Sequence, residues 1–342
     1  MSMLTIDGSQ GEGGGQVLRS ALALSLATGV PFQIIKIRAR RSNPGLMRQH
    51  LTAVRAATAV GRATVEGAEV RSSTLTFKPT TLEGGEHTFA IGSAGSTMLV
   101  LQAVMPAIIH RRLAATLHLE GGTHNSLAPP FDFFAQALVP QLTAMGANIE
   151  ATISRHGFYP AGGGKLTVSL SQADEPRRLT LLARGEERSK QLRAIVAGLP
   201  FNIAQREMAA AAAALGWGPE TFRPLMLKQH EGPGNMLFAQ LDFANVTELV
   251  SRAGERGFSA EKVAEEVANQ VKNYLSTDAP VGPFLADQLI VPMALGAGGV
   301  FRTGELDAHT HTQIDVVRRF LPAKIAIIDE SHGVKRIEIE PR

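Results

Sequence analysis

Three stretches of this 342-residue sequence share one order of elements, and this repetition constrains the fold more than any single motif does. Each stretch predicts a strand, a loop of small residues, an apolar helix, a second strand, a second helix and two further strands. The small-residue loops begin near Gly11, Gly92 and Gly282. Such units are too long for solenoid repeats. The predicted fold class is therefore α/β (α+β), with a large domain of three βαβαββ units.

Extra sequence separates the second predicted unit from the third. It contains its own predicted strands and two predicted helices, at residues 203–215 and 260–274. We therefore expect a small inserted α/β domain at residues 185–277. The predicted limits of the large domain and of its three units are residues 1–184 with 278–342, divided at about 1–84, 85–177 and 278–342.

Composition excludes several classes of protein. Apolar residues make up 44% and charged residues 19% of the chain, as in ordinary globular proteins. The absence of cysteine excludes disulfides, thiolate metal sites and cysteine nucleophiles. No apolar run approaches the roughly 18 residues of a membrane span, and no signal region precedes the first strand. We therefore expect a cytoplasmic protein without a membrane partner.

Charge alone does not indicate a nucleic-acid partner. The formal net charge is only +3, although the pI is about 9.3. Basic residues cluster at 36–41 and 110–112, where a nucleic-acid contact and an ordinary solvated face are both open interpretations.

The first glycine-rich loop, residues 8–16, is followed by an apolar helix. A strand, a glycine-rich loop and a helix in that order present backbone N–H groups to an anion. The spacing matches neither the P-loop nor the dinucleotide fingerprint. Glu12 is a candidate magnesium ligand beside a phosphate, or a solvated turn carboxylate. Arg19 is a candidate phosphate clamp, or an arginine whose stem lies along apolar surface.

Polar residues inside apolar helices are the next candidates. His50 lies on the apolar side of its helix, where a histidine at the edge of the core is the competing interpretation. Gln102 lies in an apolar helix and needs a partner, either structural or a ligand. Asp287 and Gln288 interrupt a third apolar helix and are candidates for orienting a neighbour or recognising a sugar and base.

Near the C-terminus, His309 and His311 alternate with threonines before a helix predicted from about Gln313. They are candidate metal ligands, or one of them is a nucleophile supported by its neighbours. Asp307 is the only acidic residue in the motif, which makes a tight metal site the weaker interpretation.

Five motifs then occur together and in order. They are DGSQGEGGGQ at residues 7–16, PGLMRQH at 44–50, IGSAGS at 91–96, HGFYPAGGG at 156–164 and FLADQL at 284–289. This set closely resembles the RNA 3′-terminal phosphate cyclase family over essentially the whole chain, insert included. The resemblance also supports three repeats with one inserted domain, a layout akin to that of enolpyruvyl transferases.

The resemblance implies an ATP-dependent ligase that converts an RNA 3′-terminal phosphate to a 2′,3′-cyclic phosphodiester. It implies that His309 is adenylylated, that the AMP then forms an RNA(3′)pp(5′)A end, and that Glu12 contacts Mg²⁺ or Mn²⁺. The resemblance also implies that the ATP-binding residues are Gln102, Pro130, Phe284, Leu285, Ala286, Asp287 and Gln288. The residues implied to bind phosphate and RNA are Arg19, Arg38, Arg41, Gln49 and His50.

Two positions depart from the family pattern. Gln313 stands where the family has Asn, and Phe284 stands where members often have Tyr or His. A phenyl ring can still stack on adenine, so only a hydrogen bond is lost.

The implied partners are ATP and an RNA with a 3′-phosphate end; a homodimer and a monomer are both open. Three alternatives remain: a non-catalytic relative in ribosomal RNA processing, an enolpyruvyl-transferase-like enzyme, and a zinc site at His309 and His311. The non-catalytic relatives lack the nucleophilic histidine, which is present in this sequence.

Overall fold

The structure is a computed structural model that describes residues 3–228 and 231–341. Its first elements are β1 (Leu4–Asp7), α1 (Gln16–Thr28), β2 (Phe32–Ile35), α2 (Arg48–Gly61), β3 (Thr64–Glu66) and β4 (Leu75–Lys78). They are followed by β5 (Gly85–Ala90), α3 (Thr97–His110), β6 (Ala115–Gly121), α4 (Phe131–Phe133), a π-helical turn (Phe134–Leu138), α5 (Val139–Ala144), β7 (Asn148–Arg155) and β8 (Gly164–Ser171).

The chain continues through β9 (Leu179–Leu181), β10 (Glu187–Ala197), α6 (Asn202–Leu215), β11 (Phe222–Met226), β12 (Gly234–Phe243), β13 (Thr247–Ala253) and α7 (Ala260–Leu275). The last elements are α8 (Pro283–Leu295), β14 (Gly299–Thr303), α9 (Ala308–Phe320), β15 (Lys324–Asp329) and β16 (Lys335–Glu340). The architecture is mixed α/β, as the sequence predicts.

Three of the sheets share one topology. Their strand orders are β1-β2-β4-β3, β5-β6-β8-β7 and β9-β14-β16-β15. In each sheet the first two strands in this order are parallel, and the other two neighbouring pairs are antiparallel. The fourth sheet has the order β11-β10-β12-β13, with β12 beside β10, and so follows a different plan.

The third sheet differs from the sequence prediction in its first strand. The third unit was expected within residues 278–342, but its parallel strand β9 precedes the fourth sheet in the chain. Because β9 has only three residues, it has no alternating pattern long enough to detect. The limits of the large and inserted domains stay predictions.

The helices of the three similar units pack on one another. Helix α1 contacts α3, α8 and α9, and α8 also contacts α3 and α9. One apolar core joins the three similar sheets and these helices. Among the described residues, none of the helices combines the length and apolar character needed to cross a bilayer.

Strand β10 is apolar over its second half because it is buried on both faces. Leu192, Ala194 and Val196 belong to a second core with α6 and α7, whereas Ile195 and Ala197 belong to the main core. Alternate residues of a strand point to opposite faces, so the fourth sheet has helices on one side and the main core on the other.

Candidate active site

Helix α9 begins at Ala308, five residues before the predicted start at Gln313. The earlier start follows from Asp307, whose carboxylate accepts the N–H of Thr310 at 2.8 Å and its hydroxyl at 2.9 Å. This is an N-cap, which stabilises the first turn of a helix. His309 is therefore an exposed residue in the first turn, at the end of the helix that favours anions.

One ring nitrogen of His309 has a defined partner. Its Nδ1 is hydrogen-bonded to Oε1 of Gln16, the first residue of α1. The amide group of Gln16 in turn donates to the Asp287 carboxylate. A carboxylate only accepts hydrogen bonds, so the Gln16 NH₂ must face Asp287 and its oxygen must face the imidazole. The proton of neutral His309 is then on Nδ1, and the lone pair is on Nε2.

A row of hydrogen-bonded side chains, formed by Arg19, Gln102 and Gln288, also ends at the Asp287 carboxylate. Arg19 donates to the Gln102 oxygen at 2.9 Å, and Gln102 donates to the Gln288 oxygen at 2.7 Å. Gln288 donates to Asp287 at 2.9 Å. Because arginine only donates and the carboxylate only accepts, the two charged ends fix the orientation of both amides.

The charged ends of this row are both partly buried. Burial raises the pKa of Asp287 to about 6, against the hydrogen bond from Gln16 that lowers it. Burial lowers the pKa of Arg19 to about 10, and the carboxylates of Asp287 and Glu12 oppose that shift. Asp287 is consequently ionised and Arg19 protonated near neutral pH.

The first glycine-rich loop lies directly against α9. The N–H of Glu12 donates to the Thr312 hydroxyl at 3.1 Å, and that hydroxyl donates to the Ala308 carbonyl at 2.6 Å. Gly11 has a φ of 60°, and a Cβ there would overlap Thr312. Backbone conformation and lack of space therefore both require glycine at this position.

His50 lies beside the same loop. Its Nδ1 accepts the N–H of Met47 at 3.2 Å, so the neutral ring carries its proton on Nε2. Burial and the charges of Arg19 and Arg38 lower the pKa of His50 to about 3. The ring packs against Gly15, where a Cβ would overlap it. His50 is thus a neutral N–H donor at the edge of the core and beside the loop, and its role in phosphate binding stays a prediction.

The remaining predicted phosphate residues surround the loop. Arg41 forms an ion pair with Glu12. Arg38 donates to the carbonyls of Asn43 at 2.7 Å and Gly45 at 3.0 Å, and burial lowers its pKa. The oxygen of Gln49 accepts the N–H of Ser96 at 3.3 Å, which joins α2 to the start of α3.

A cleft between α1, α3, α8 and the π-helical turn adjoins the hydrogen-bonded row. The space inside it that a water-sized molecule can occupy is about 40 Å³, well below the roughly 300 Å³ of a small-molecule site, so the cleft is narrow in this structure. The polar lining residues include Arg19, Gln102 and Gln288, and the rest is largely apolar, with Met98 and Phe134 among the walls. A mostly apolar cleft with a few fixed polar groups suits an aromatic base.

Four other predicted ATP residues are absent from the described residues that line this cleft: Pro130, Phe284, Leu285 and Ala286. Pro130 is the N-cap of α4, while its neighbour Pro129 lines the cleft. Phe284 is 49% exposed in the first turn of α8. Leu285 and Ala286 are fully buried in the main core, so their side chains face the protein interior.

His309 and His311 point in different directions. Residues two apart on a helix are separated by roughly 200° around its axis, which disfavours joint metal binding. Within the part of the chain that the structure describes, no group of three or more His, Cys, Asp or Glu side chains could hold a metal ion.

Two further residues of the candidate site, Gln16 and Gln313, are not singled out by the sequence patterns. Gln16 was noted only as the end of the glycine motif, although a polar residue that opens an apolar helix is a detectable signal. Gln313 was treated as a mild departure, yet its amide accepts from Ser20 and donates to the Asp287 carbonyl at 3.5 Å.

Comparisons with known proteins show the family of the chain. The chain matches the RNA 3′-terminal phosphate cyclase family over residues 10–327. It is 46% identical over 332 residues to an RNA 3′-terminal phosphate cyclase of Koribacter versatilis (strain Ellin345), covering 97% of this chain and 94% of that protein. The enolpyruvyl transferase NikO from Streptomyces tendae matches with a TM-score of 0.29 and 12% identity over 100% of this chain and 83% of its own, too weakly for a structural argument. The chain belongs to the RNA 3′-terminal phosphate cyclase family.

Proposed function

We propose that this protein converts the 3′-terminal phosphate of an RNA to a 2′,3′-cyclic phosphodiester, consuming ATP and releasing AMP and pyrophosphate. Family membership and the 46% identical relative support the cyclase activity. The observation that carries the mechanism is the Gln16–Asp287 support of His309, which leaves Nε2 of an exposed imidazole with its lone pair.

In the first step, His309 Nε2 attacks the α-phosphorus of ATP. A P–N bond forms, the P–O bond to the β-phosphate breaks, and pyrophosphate leaves with the bonding electrons. The imidazole gains positive charge, while its Nδ1 proton stays hydrogen-bonded to Gln16. Histidine suits this role because its ordinary pKa of about 6.5 leaves a neutral ring at pH 7.

In the second step, an oxygen of the RNA 3′-phosphate attacks the same phosphorus. The P–N bond breaks, His309 leaves as a neutral imidazole, and the RNA end carries AMP through a pyrophosphate bond. In the third step, the neighbouring 2′-OH attacks the 3′-phosphorus, loses its proton and expels AMP. Activation is needed because the 3′-phosphate otherwise has no good leaving group, and proximity then favours ring closure.

The lining of the cleft matches ATP in its polarity. The apolar walls suit the adenine, and the amides of Gln102 and Gln288 supply fixed polar groups. Arg19 is hydrogen-bonded to Gln102, and its positive charge would offset the negative charge of the phosphates. Phe284 is exposed in the first turn of α8, where its ring can stack on the base.

The RNA phosphate end fits the loop side of His309. The neutral His50 donor, the Arg38 and Arg41 guanidinium groups and the start of α1 surround the glycine-rich loop. Backbone N–H groups and arginines are the usual ligands of phosphate.

Glu12 is the carboxylate within the glycine-rich loop, and it pairs with Arg41. One carboxylate fits a Mg²⁺ ion, or Mn²⁺, that arrives on the phosphates of ATP, and does not fit an all-protein metal cage. Such an ion would reduce repulsion between the phosphates and the incoming anion.

The test is incubation with ATP labelled at its α-phosphate, followed by an RNA with a 3′-phosphate end. Wild-type protein should retain label covalently and then convert the RNA end to a cyclic phosphate. His309→Asn should do neither, because it removes the nucleophile. His311→Ala is the matched control and should retain both activities. Label that persists in the His309→Asn protein would contradict the proposal.

A further inference from the structure

The fourth sheet contacts both walls of the nucleotide cleft. One wall carries Pro129 and Phe134, next to α4, and the other is formed by α8 with Gln288 and Val291. Side chains of β10 and β13 reach the starts of these two helical segments. Through these contacts, residues 185–277 can influence binding in the cleft.

Arg193 of β10 reaches the first wall. Its guanidinium forms an ion pair of 2.5 Å with Asp132, in the first turn of α4. The second oxygen of Asp132 lies 2.7 Å from Nε2 of the buried His124. Burial alone raises the pKa of Asp132, but the hydrogen bonds and charges of His124 and Arg193 outweigh it and hold the pKa well below its ordinary value. Asp132 is therefore a buried carboxylate, and its ion pair with Arg193 offsets part of the free-energy cost of burying the charge.

Glu248 of β13 reaches the second wall. It is 1% exposed, and its carboxylate accepts the N–H of Gly282, the N-cap residue of α8. A Cβ on Gly282 would overlap this carboxylate. The first two turns of α8 carry Asp287 and Gln288, so the position of Gly282 determines where these two side chains lie.

Neighbouring contacts fix the same segment. Arg184 donates to the Ala279 carbonyl at 3.0 Å, and the Tyr274 hydroxyl donates to the Pro280 carbonyl at 2.9 Å. On the first wall, the Gln141 amide donates to the Asn245 carbonyl at 3.4 Å, which joins α5 to the turn before β13. These contacts attach the region of the fourth sheet to the segments at which the two walls begin.

We propose that Arg193 and Glu248 are positioning residues for nucleotide binding, which hold in place the starts of the two helical segments that form the walls of the cleft. Arg193 acts through Asp132 on the Pro129 wall, and Glu248 acts through Gly282 on the α8 wall. This inference rests on the proposed function, because it concerns binding of the co-substrate in the adenylylation step.

The experiment measures the rate of covalent AMP formation in a single turnover at graded ATP concentrations. For Arg193→Met and for Glu248→Leu, the half-saturating ATP concentration should rise about tenfold, as expected for loss of a buried hydrogen bond. Glu248→Gln keeps an acceptor oxygen for the Gly282 N–H and should restore the wild-type value. Transfer of preformed AMP from the protein to RNA uses no free ATP and should keep its rate.

Glu207 provides the matched control. Like Glu248, it is a 1% exposed glutamate of the fourth-sheet region, and one carboxylate oxygen of each has no hydrogen-bond partner among the described residues. Its partner is Asn235, within the same region, and it reaches neither wall. Glu207→Leu should therefore leave the half-saturating ATP concentration unchanged.

An unchanged half-saturating ATP concentration in both wall variants would overturn the inference, and so would an equal rise in Glu207→Leu. If Glu248→Leu is not folded, the partly exposed Arg193 decides the question through Arg193→Met. Absence of any covalent AMP on the wild-type protein would contradict the proposed function instead, so the two failures are distinguishable.

Discussion

At the scale of single residues, the orientation of one amide determines which imidazole nitrogen of His309 keeps its lone pair. Gln16 lies between a carboxylate and His309, and its two ends cannot be exchanged while Asp287 is ionised. The partner of Nδ1 therefore selects the tautomer of His309, just as outer hydrogen bonds orient histidines that bind metals.

Replacement of Gln16 tests this role. Gln16→Leu removes the acceptor of the Nδ1 proton, and we expect covalent AMP formation to slow by about 100-fold, the scale found when orienting partners of histidine are lost. The measurement is single-turnover labelling with ATP. Gln33→Leu, an equal change on β2, should react at the wild-type rate. Equal rates in the two variants would show that Gln16 does not orient His309.

The protonation of Asp287 should appear in the pH dependence of labelling. Its pKa of about 6 means that the carboxylate is ionised above this value and protonated below it. As the pH falls through about 6, a neutral Asp287 no longer fixes the Gln16 amide, and labelling should slow. Asp287→Asn should label slowly at neutral pH and lose this part of the profile. Identical profiles in the two proteins would contradict the assignment.

The residues of the site were only partly readable from sequence. His309 and the arginines occur in dense motifs, and their residue types alone suggest phosphate chemistry. Gln16 and Gln313 act through contacts with Asp287 and Ser20, which are distant in the chain. Such pairings depend on how the helices pack, so no local pattern reveals them.

At the scale of elements, the close contact between the glycine-rich loop and α9 depends on the absence of a side chain at Gly11. Gly11→Ala would introduce a Cβ against the Thr312 hydroxyl in addition to strain at a φ of 60°. We expect a loss of stability of about 2 kcal/mol together with slower labelling. Denaturant unfolding and ATP labelling of the same preparation measure the two effects.

Gly216 separates strain from crowding. Its φ is 67°, but a Cβ there would meet no described atom within 4 Å. Gly216→Ala should therefore lose only about 1 kcal/mol, the cost of the backbone conformation, and label normally. Equal stability losses and normal labelling in both variants would show that the contact with Thr312 is unimportant.

The buried Glu207 gives a stability prediction for α6. Burial raises its pKa from 4.5 in the unfolded chain to about 8. The neutral carboxyl is therefore accommodated in full below pH 4.5, and the free energy of unfolding falls as the pH rises through 8. Glu207→Gln removes this charge. The variant should unfold at a higher temperature than the wild type near pH 9 and at a similar temperature near pH 4. An identical decline with pH in both proteins would contradict the account.

Sequence patterns located most elements but misplaced the start of α9 and missed β9, β11 and β13. In α9 the capping Asp307 begins the helix inside a polar stretch, which an apolar pattern does not mark. Strand β11 is mostly exposed and contains Pro224, so it lacks alternation. These elements are fixed by pairing and capping, which are not visible in local hydrophobicity.

At the scale of the whole molecule, three sheets of one topology surround helices whose ends supply the site. Helix α1 provides Gln16 and Arg19, α3 provides Gln102, and α8 provides Asp287 and Gln288. The repeated pattern was predictable because each unit must bury an apolar helix against a sheet. The meeting of their polar residues was not, because it depends on the packing of α1, α3 and α8.

The central claim is that His309 carries the AMP. After incubation with ATP and Mg²⁺, tryptic digestion near neutral pH preserves the acid-labile P–N bond and yields the peptide of residues 303–318, which contains both candidate histidines. Fragmentation by mass spectrometry should locate a single adenylate on His309, absent from His309→Asn. An adenylate on His311, on another peptide, or still present in His309→Asn would contradict the account.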